Sequence, residues 1–424
     1  MVRRKLQILI GLVFMGFSPP IAAADLLIDG VPLPSDAKVV STENSQPALQ
    51  QWAGAWVGAW GSTLKHILLV ESLAENGQGR VVYAVGENPS WGIRPAWRRF
   101  EATVSENSLK IAVPGFSAIY ELAGSGAATG TFTRGSISSR AAVRRVDLAA
   151  LVEPGFVVDW TRGKSEILQT DLTEDGKPIS LEVVIFAPPG KGPFPLAVIN
   201  HGSTGTGDNP ALFTQTWINP DIADFLNERG WIVAFPQRRG RGKSDGRYDE
   251  GFAPDRAKGY TCDPKISLAG AYRALQDIEA AISVIRRRPD VASSLILIGG
   301  QSRGGVLSVA YAGEHSEQIF GVLNFVGGWM GEGCSSAKVI NETLFEQGGR
   351  FDQPTLWLYG RGDPFYSIEH SRHNFAAFQE AGGRGTFLEF EVPTGNGHQV
   401  HGNPQLWVTS AGAYLNALVS GLKK

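Results

Sequence analysis

Gly300-Gln301-Ser302-Arg303-Gly304 sets a serine between two glycines, and its surroundings decide whether that serine can act as a nucleophile. Before it, Leu295 to Ile298 form a short apolar run that reads as a buried strand. After it, Val306, Leu307, Val309 and Ala310 open a helical spacing. A strand, a sharp turn and a helix in that order would hold Ser302 in a strained conformation with its hydroxyl clear of the sheet. Gly300 and Gly304 are then small because the strand end and helix start pass too close for side chains. A serine hydroxyl is a poor nucleophile at neutral pH; it needs an adjacent base, and the base needs an orienting carboxylate. In a parallel sheet these groups must leave the carboxyl ends of strands. Thr355 to Tyr359 reads as such a strand, and Asp363 lies in its exit loop. Thr386 to Val392 reads as the last strand, and its glycine-containing exit loop ends at His398. His401 is the rival base. Gly-His at the end of a short loop favours His398, and the chain order Ser302, Asp363, His398 suits this chemistry.

The developing oxyanion needs two backbone N–H groups. Arg303 should supply one, and Ser203 or Gly202, after the strand Pro195–Asn200, the other. His201 precedes the nucleophile and is read as structural. The cluster Arg238, Arg239, Arg241 and Lys243 follows another central strand. Arg239 and Arg241 could grip a substrate carboxylate or sulfate, or the charges could pair with Asp245, Asp249 or Glu250. No metal and no cofactor is expected.

The elements that must carry these residues alternate. From about Pro154, strands Glu166–Leu172, Ile179–Phe186, Pro195–Asn200, Trp231–Phe235 and Phe320–Val326 join those above. Helices Asp221–Arg229 and one with an apolar face from Leu268 to Ile285 lie between them, and residues 247–265 read as an irregular insertion. This predicts an α/β domain with a mostly parallel sheet flanked by helices. Upstream, residues 52–146 are rich in tryptophan and glycine, with short runs at Ile67–Leu73, Arg80–Val85, Phe100–Val104, Leu109–Val113, Ala118–Leu122, Gly130–Thr133 and Ala141–Val146. They predict a small antiparallel sandwich or barrel. Its tryptophans are read as core, with Trp56, Trp60, Trp91 and Trp97 as an alternative sugar- or lipid-binding surface.

His201-Gly202, the run Arg239-Gly-Arg-Gly-Lys-Ser-Asp-Gly246, Gly300-Gln-Ser-Arg-Gly-Gly305, Asp363 and His398 together resemble the α/β-hydrolases, in the dienelactone hydrolase and prolyl oligopeptidase-like branch, over about residues 160–420. The resemblance implies a serine hydrolase. Dienelactone hydrolases proper use a cysteine where Ser302 stands, and oligopeptidases carry a propeller far larger than this β module. The Gly-x-Trp start of that module resembles the lipocalin-type modules of some bacterial hydrolases. The expected function is cleavage of carboxylic esters through an acyl-enzyme. One alternative is a peptidase of the prolyl oligopeptidase type, clamping a peptide amino-terminus with Asp249, Glu250 or Asp255. Another is a non-catalytic envelope binding protein. The substrate would be a small molecule or short peptide, and the oligomeric state is open.

A formal charge of −2 without a clustered basic excess gives no footprint for nucleic acid. Arg3, Arg4 and Lys5, the apolar stretch Leu6–Phe17 and Ala22-Ala23-Ala24 read as a signal peptide over 1–24, too short to span a bilayer. The mature chain would then carry no transmembrane segment, a charge of −5 after loss of the three basic residues, and a periplasmic or extracellular address. The expected organisation is signal peptide 1–24, extended leader 25–47, β module 48–150 and catalytic domain 151–424. The two cysteines, Cys262 and Cys334, could pair in such a compartment or stand as separate thiols.

Overall fold

The computed structural model describes residues 26–39 and 47–421, apart from 62, 89–91, 125, 136, 154, 157, 159, 161, 162, 189 and 394. The expected signal peptide and Trp91 lie outside these residues. The chain divides into two compact units, one ending at Arg162 and one beginning at Gly163.

In the first unit, β1 (Leu26–Ile28) and β2 (Val31–Leu33) form a hairpin, followed by the single turn α1 (Pro47–Gln50). Eight strands then close into an antiparallel barrel: β3 (Gly54–Trp60), β4 (Leu64–Leu73), β5 (Gln78–Val85), β6 (Ala96–Val104), β7 (Ser108–Val113), β8 (Phe116–Gly124), β9 (Ala127–Arg134) and β10 (Ile137–Val146). Each strand pairs with the next and β10 returns to β3, so the barrel is the one of the two expected forms that is observed. Trp56, Trp60, Leu68, Tyr83, Ile111 and Tyr120 pack inside it. Trp56 and Trp60 are therefore core and present no binding surface. Trp97 is half-buried beside the Arg99 guanidinium.

The segment expected as an extended leader covers the barrel instead. Ile28, Val31 and Leu33 pack with Ala55, Val57, Leu69 and Val82 on its outer side, and Leu151, the last residue of α2 (Leu148–Leu151), joins them with Val158 and Trp160. Burying both faces of β3 to β5 explains why their sequences lack a clean polar alternation. It also moves the boundary of the unit past residue 150.

His66 sits in the barrel, with Nδ1 2.8 Å from the Ala84 carbonyl and Nε2 2.7 Å from the Tyr120 hydroxyl. A carbonyl can only accept, so Nδ1 carries the proton and Nε2 accepts from Tyr120. Burial pushes the imidazole pKa down from 6.5 to about 3. The unfolded chain therefore takes up a proton that the barrel refuses. Stability is full above the unfolded value of 6.5 and falls as pH drops toward about 3. The expected slope from this group is about 1.4 kcal/mol per pH unit. His66→Gln should flatten the pH dependence of urea unfolding by that amount, and an unchanged slope would refute the assignment.

The second unit is built on one mixed sheet: β11 (Lys164–Glu174), β12 (Lys177–Phe186), β13 (Phe194–Asn200), β14 (Ile232–Pro236), β15 (Val291–Gln301), β16 (Ile319–Phe325), β17 (Thr355–Gly360) and β18 (Gly385–Phe390). The spatial order is β11-β12-β14-β13-β15-β16-β17-β18. The β11–β12 and β12–β14 pairings are antiparallel and every later pairing is parallel, so the sheet is mostly parallel, as the alternation of strands and helices predicts. Asp175 and Gly176 both have positive φ, which turns β11 tightly into β12. The helices are α3 (Pro220–Asn227), α4 (Pro264–Ile285), α5 (Arg303–Glu314), α6 (Ala337–Gly348), α7 (Ile368–Glu380) and α8 (Pro404–Gly421). Leu196 to Ile199, Ile296 to Ile298, and Val322 with Leu323 are wholly buried at the sheet centre. Strands covered on both faces must read as continuous apolar runs, and these do. α4 starts where Asp263 caps the Ile266 N–H and Pro264 takes the first helical position. The insertion between β14 and α4 holds one 3₁₀ turn, Arg256–Lys258, and an isolated bridge between Phe252 and Tyr260.

Candidate active site

Ser302 joins β15 to α5 with φ 56° and ψ −122°, a backbone conformation that L side chains rarely adopt. Backbone hydrogen bonds fix it there, including one from the Val306 N–H to its carbonyl at 3.3 Å. Its N–H donates to the Phe325 carbonyl at 3.0 Å, and its own carbonyl accepts from the N–H groups of Gly305 and Gly328. The flanking glycines are required by space. A Cβ on Gly300 would stand 2.5 Å from the Gly304 backbone, and one on Gly304 would stand 2.1 Å from the Asn200 carbonyl oxygen. The loop after β13 is equally close, since a Cβ on Gly202 would lie 3.1 Å from the Ser302 Cβ.

Asp363 and His398 meet at the ends of β17 and β18. His398 Nδ1 lies 2.8 Å from Asp363 Oδ2. Asp363 Oδ1 accepts from the N–H groups of Phe365 and Tyr366, so the carboxylate is held on both oxygens. Nδ1 must donate to a carboxylate, which leaves the Nε2 lone pair free to take a proton. Two loop glycines allow the approach: a Cβ on Gly397 would lie 2.3 Å from the Gly360 carbonyl. Asn396 caps the His398 N–H and fixes the start of the short 3₁₀ segment.

Tyr366 is a neighbour that the sequence analysis did not single out. Its hydroxyl donates to the Gly328 carbonyl at 2.7 Å and lies near the Ser302 side chain, and its ring lies 5.8 Å from that of His398. Tyr366 thus touches both the serine and the histidine side of the site. Its position two residues before helix α7 and three after Asp363 carries no motif by which to find it. The half-exposed Phe365 ring stands 4.8 Å from His398, nearly edge-on.

His401, the rival base, has its carbonyl bonded by Asn219. Burial, followed by the neighbouring His398, pushes its pKa down to about 3. His201 is buried with Nδ1 donating to the Gly202 carbonyl and Nε2 accepting the Arg238 N–H. Burial and two nearby arginines hold it neutral, as its structural reading requires.

The two arginines that could grip a substrate, Arg239 and Arg241, are buried. Arg239 is buried against Asp277, with Nε 2.5 Å from Oδ1 and its N–H on Oδ2. Burial pushes the Asp277 carboxyl up to about 6 against the pull of Arg239. Arg241 is buried with Nη1 on the Leu212 carbonyl and its guanidinium 5.8 Å from the Tyr248 ring. Gly240 and Gly242 both have positive φ, and the burial favours the alternative of charge pairing: Arg238 pairs with Glu250 as anticipated, and Arg239 with Asp277 instead. The expected peptide clamp is likewise occupied: Glu250 is buried against Arg238 and Arg303, Asp249 pairs with Arg256, and Asp255 caps the Ala257 N–H.

Cys262 and Cys334 are joined by a disulfide, with Cα atoms 5.5 Å apart, tying the insertion to the segment after β16. Their sequence separation of 72 residues corresponds, by chain entropy, to about 4 kcal/mol of stabilisation. Cys262→Ser with Cys334→Ser should lower the urea-unfolding free energy of this unit by roughly that amount. A loss of under about 1 kcal/mol would mean that the reduced chain is already restrained. Among the described residues, no group of three or more His, Cys, Asp or Glu is placed to hold a metal ion.

No protein-family model and no curated protein matches the chain. An esterase of Butyrivibrio proteoclasticus, in complex with ferulic acid, is similar at 16% identity and a TM-score of 0.42, covering 60% of this chain and 99% of that one. An esterase of Pyrococcus furiosus is similar at 13% identity and a TM-score of 0.43, covering 62% of this chain and 95% of that one. A Klebsiella pneumoniae chain that carries the name dienelactone hydrolase is similar at 16% identity and a TM-score of 0.35, covering 54% of this chain and 85% of that one. The solved structures similar to this chain thus include esterases and dienelactone hydrolase-like α/β-hydrolases, all at low identity.

Proposed function

We propose that the chain is an exported serine hydrolase that cleaves carboxylic esters. The observation that carries this reading is the Asp363–His398 pair at 2.8 Å, together with a serine held at φ 56° on a strand–turn–helix junction and Tyr366 next to both. Ser302 Oγ attacks the acyl carbon and passes its proton to His398 Nε2. The tetrahedral oxyanion is met by the N–H of Arg303 and by that of Gly202 or Ser203. His398 then protonates the leaving alcohol, and water releases the acyl group by the same steps in reverse. Asp363 orients the imidazole and stabilises it when it is charged. The half-exposed Phe365 ring beside His398 offers an apolar surface to the group bound there.

Buried pairing of Glu250 weighs against the peptidase alternative, since that carboxylate is no longer available for a peptide amino-terminus. The test is a panel of p-nitrophenyl esters and dipeptide amides with purified protein, together with fluorophosphonate labelling mapped by mass spectrometry. Ester turnover with the label on Ser302 is the expected result. Amide turnover alone would favour the peptidase, and absence of both would favour a binding protein. Export rests on residues 1–24 and is checked by the amino-terminus of secreted protein, expected near Asp25.

A further inference from the structure

Behind the nucleophile turn lies a set of buried charges that the proposed reaction does not touch. Arg238, Glu250 and Arg303 are each 2% exposed. Glu250 Oε1 accepts Arg238 Nε at 2.6 Å. Its Oε2 accepts the Tyr248 hydroxyl at 2.9 Å and lies 3.4 Å from Arg303 Nη1, which also donates to the Glu250 carbonyl at 2.8 Å. Burial pushes this carboxyl up, but the two guanidiniums outweigh it and hold the group below the usual carboxylate range. Glu250 is therefore ionised and Tyr248 must donate to it. The Tyr248 oxygen then accepts from Tyr260 at 2.8 Å, and Tyr260 in turn accepts from the N–H and Oγ1 of Thr204.

The other end of Arg238 grips the loop after β13. Nη1 donates to the His201 carbonyl at 2.9 Å and Nη2 to the Gly202 carbonyl at 3.4 Å. Among the described residues the cis peptide bond is Gly192–Pro193, so both of these peptides are trans. In a trans peptide the N–H points away from the C=O. Carbonyls turned onto Arg238 therefore aim the N–H groups of Gly202 and Ser203 to the opposite side of the loop. These are the N–H groups assigned to one half of the oxyanion hole, and Arg303 carries the other half.

We propose that Glu250 is a positioning residue that registers the two halves of the oxyanion hole, one through Arg238 and one through Arg303. The proposal rests on the serine-hydrolase reading above. Two guanidiniums against one carboxylate also leave net positive charge behind the place where the oxyanion forms, which favours it in a dry site.

The experiment compares the parent with Glu250→Gln, which keeps shape and loses charge, and Arg238→Lys, which keeps charge but cannot fork onto two carbonyls. Active sites are first titrated with a fluorophosphonate, so that misfolded protein is not counted. The expected result is a fall in kcat per titrated site of about tenfold to a hundredfold, with KM for p-nitrophenyl acetate within about twofold. Affinity for a phenylboronic acid, which mimics the tetrahedral species on Ser302, should fall by the same factor as kcat/KM. Should both variants fail to fold, Tyr248→Phe leaves every charge in place, removes one hydrogen bond from Glu250 and is expected to lower kcat per site severalfold. A kcat per titrated site within about twofold of the parent in the variants that fold would overturn the positioning role. If the parent itself is not labelled on Ser302, the hydrolase reading falls first and this proposal falls with it.

Discussion

Ser302→Ala is expected to lower kcat on p-nitrophenyl acetate by about three decades or more, with no change in melting temperature. The side chain is a single hydroxyl, and the four hydrogen bonds that fix this turn are made by backbone atoms that alanine keeps. Alanine also has the same difficulty with positive φ as serine, so the strain at the turn is carried over unchanged. What would disappear is the atom proposed to form the acyl bond. Residual turnover near the buffer rate would come from the oxyanion donors alone. Activity within about tenfold of the parent in purified, unlabelled mutant would place the nucleophile elsewhere.

His398→Ala should lose activity on the same scale, while His401→Ala should cost under about tenfold. The two histidines are three residues apart in one 3₁₀ segment, but their surroundings separate them. His398 has a carboxylate 2.8 Å from Nδ1, which fixes the tautomer and stabilises the imidazolium. His401 is pushed down to about 3 by burial and by His398, so it cannot hold a proton at neutral pH. Asp363→Asn adds a control, because an amide can hold the ring in the wrong tautomer. It should lower kcat by up to about four decades while leaving fluorophosphonate-accessible structure intact. Equal losses at 398 and 401, measured as kcat per mole of folded protein, would reverse the assignment of the base.

The Asp363–His398 pair could be anticipated from sequence because both residues sit in loops that leave the ends of neighbouring parallel strands, one wholly buried and one part-exposed. The disulfide partners could be named for the same reason, although their approach to within 5.5 Å depends on an insertion with no periodicity. β3 did not register as a strand. Its Gly-Ala-Trp-Val-Gly-Ala-Trp sequence is buried on both sides, by the barrel interior and by the β1–β2 hairpin, so no polar face marks a period of two. The arginine loop misled for a different reason. Charge density in a sequence suggests exposure, yet Arg239 is paired with Asp277 and Arg241 is bonded to the Leu212 carbonyl, both far along the chain. Long-range pairing of this kind leaves no local trace. Tyr366 was missed because a tyrosine after an Asp-Pro turn has many ordinary uses, and only the fold brings its hydroxyl to Ser302.

The backbone at Ser302 has a consequence for how this chain changes over generations. A conformation at φ 56° and ψ −122° costs a non-glycine residue about 1–3 kcal/mol, and glycine adopts it freely. Codons for serine and glycine can differ by a single base, so the substitution that would remove the proposed nucleophile is both accessible and relieving to the fold. Selection for folding alone would drift toward glycine at this position. A serine persists there only while something rewards its hydroxyl, which makes residue 302 a place where the chain's own thermodynamics work against the retention of its chemistry.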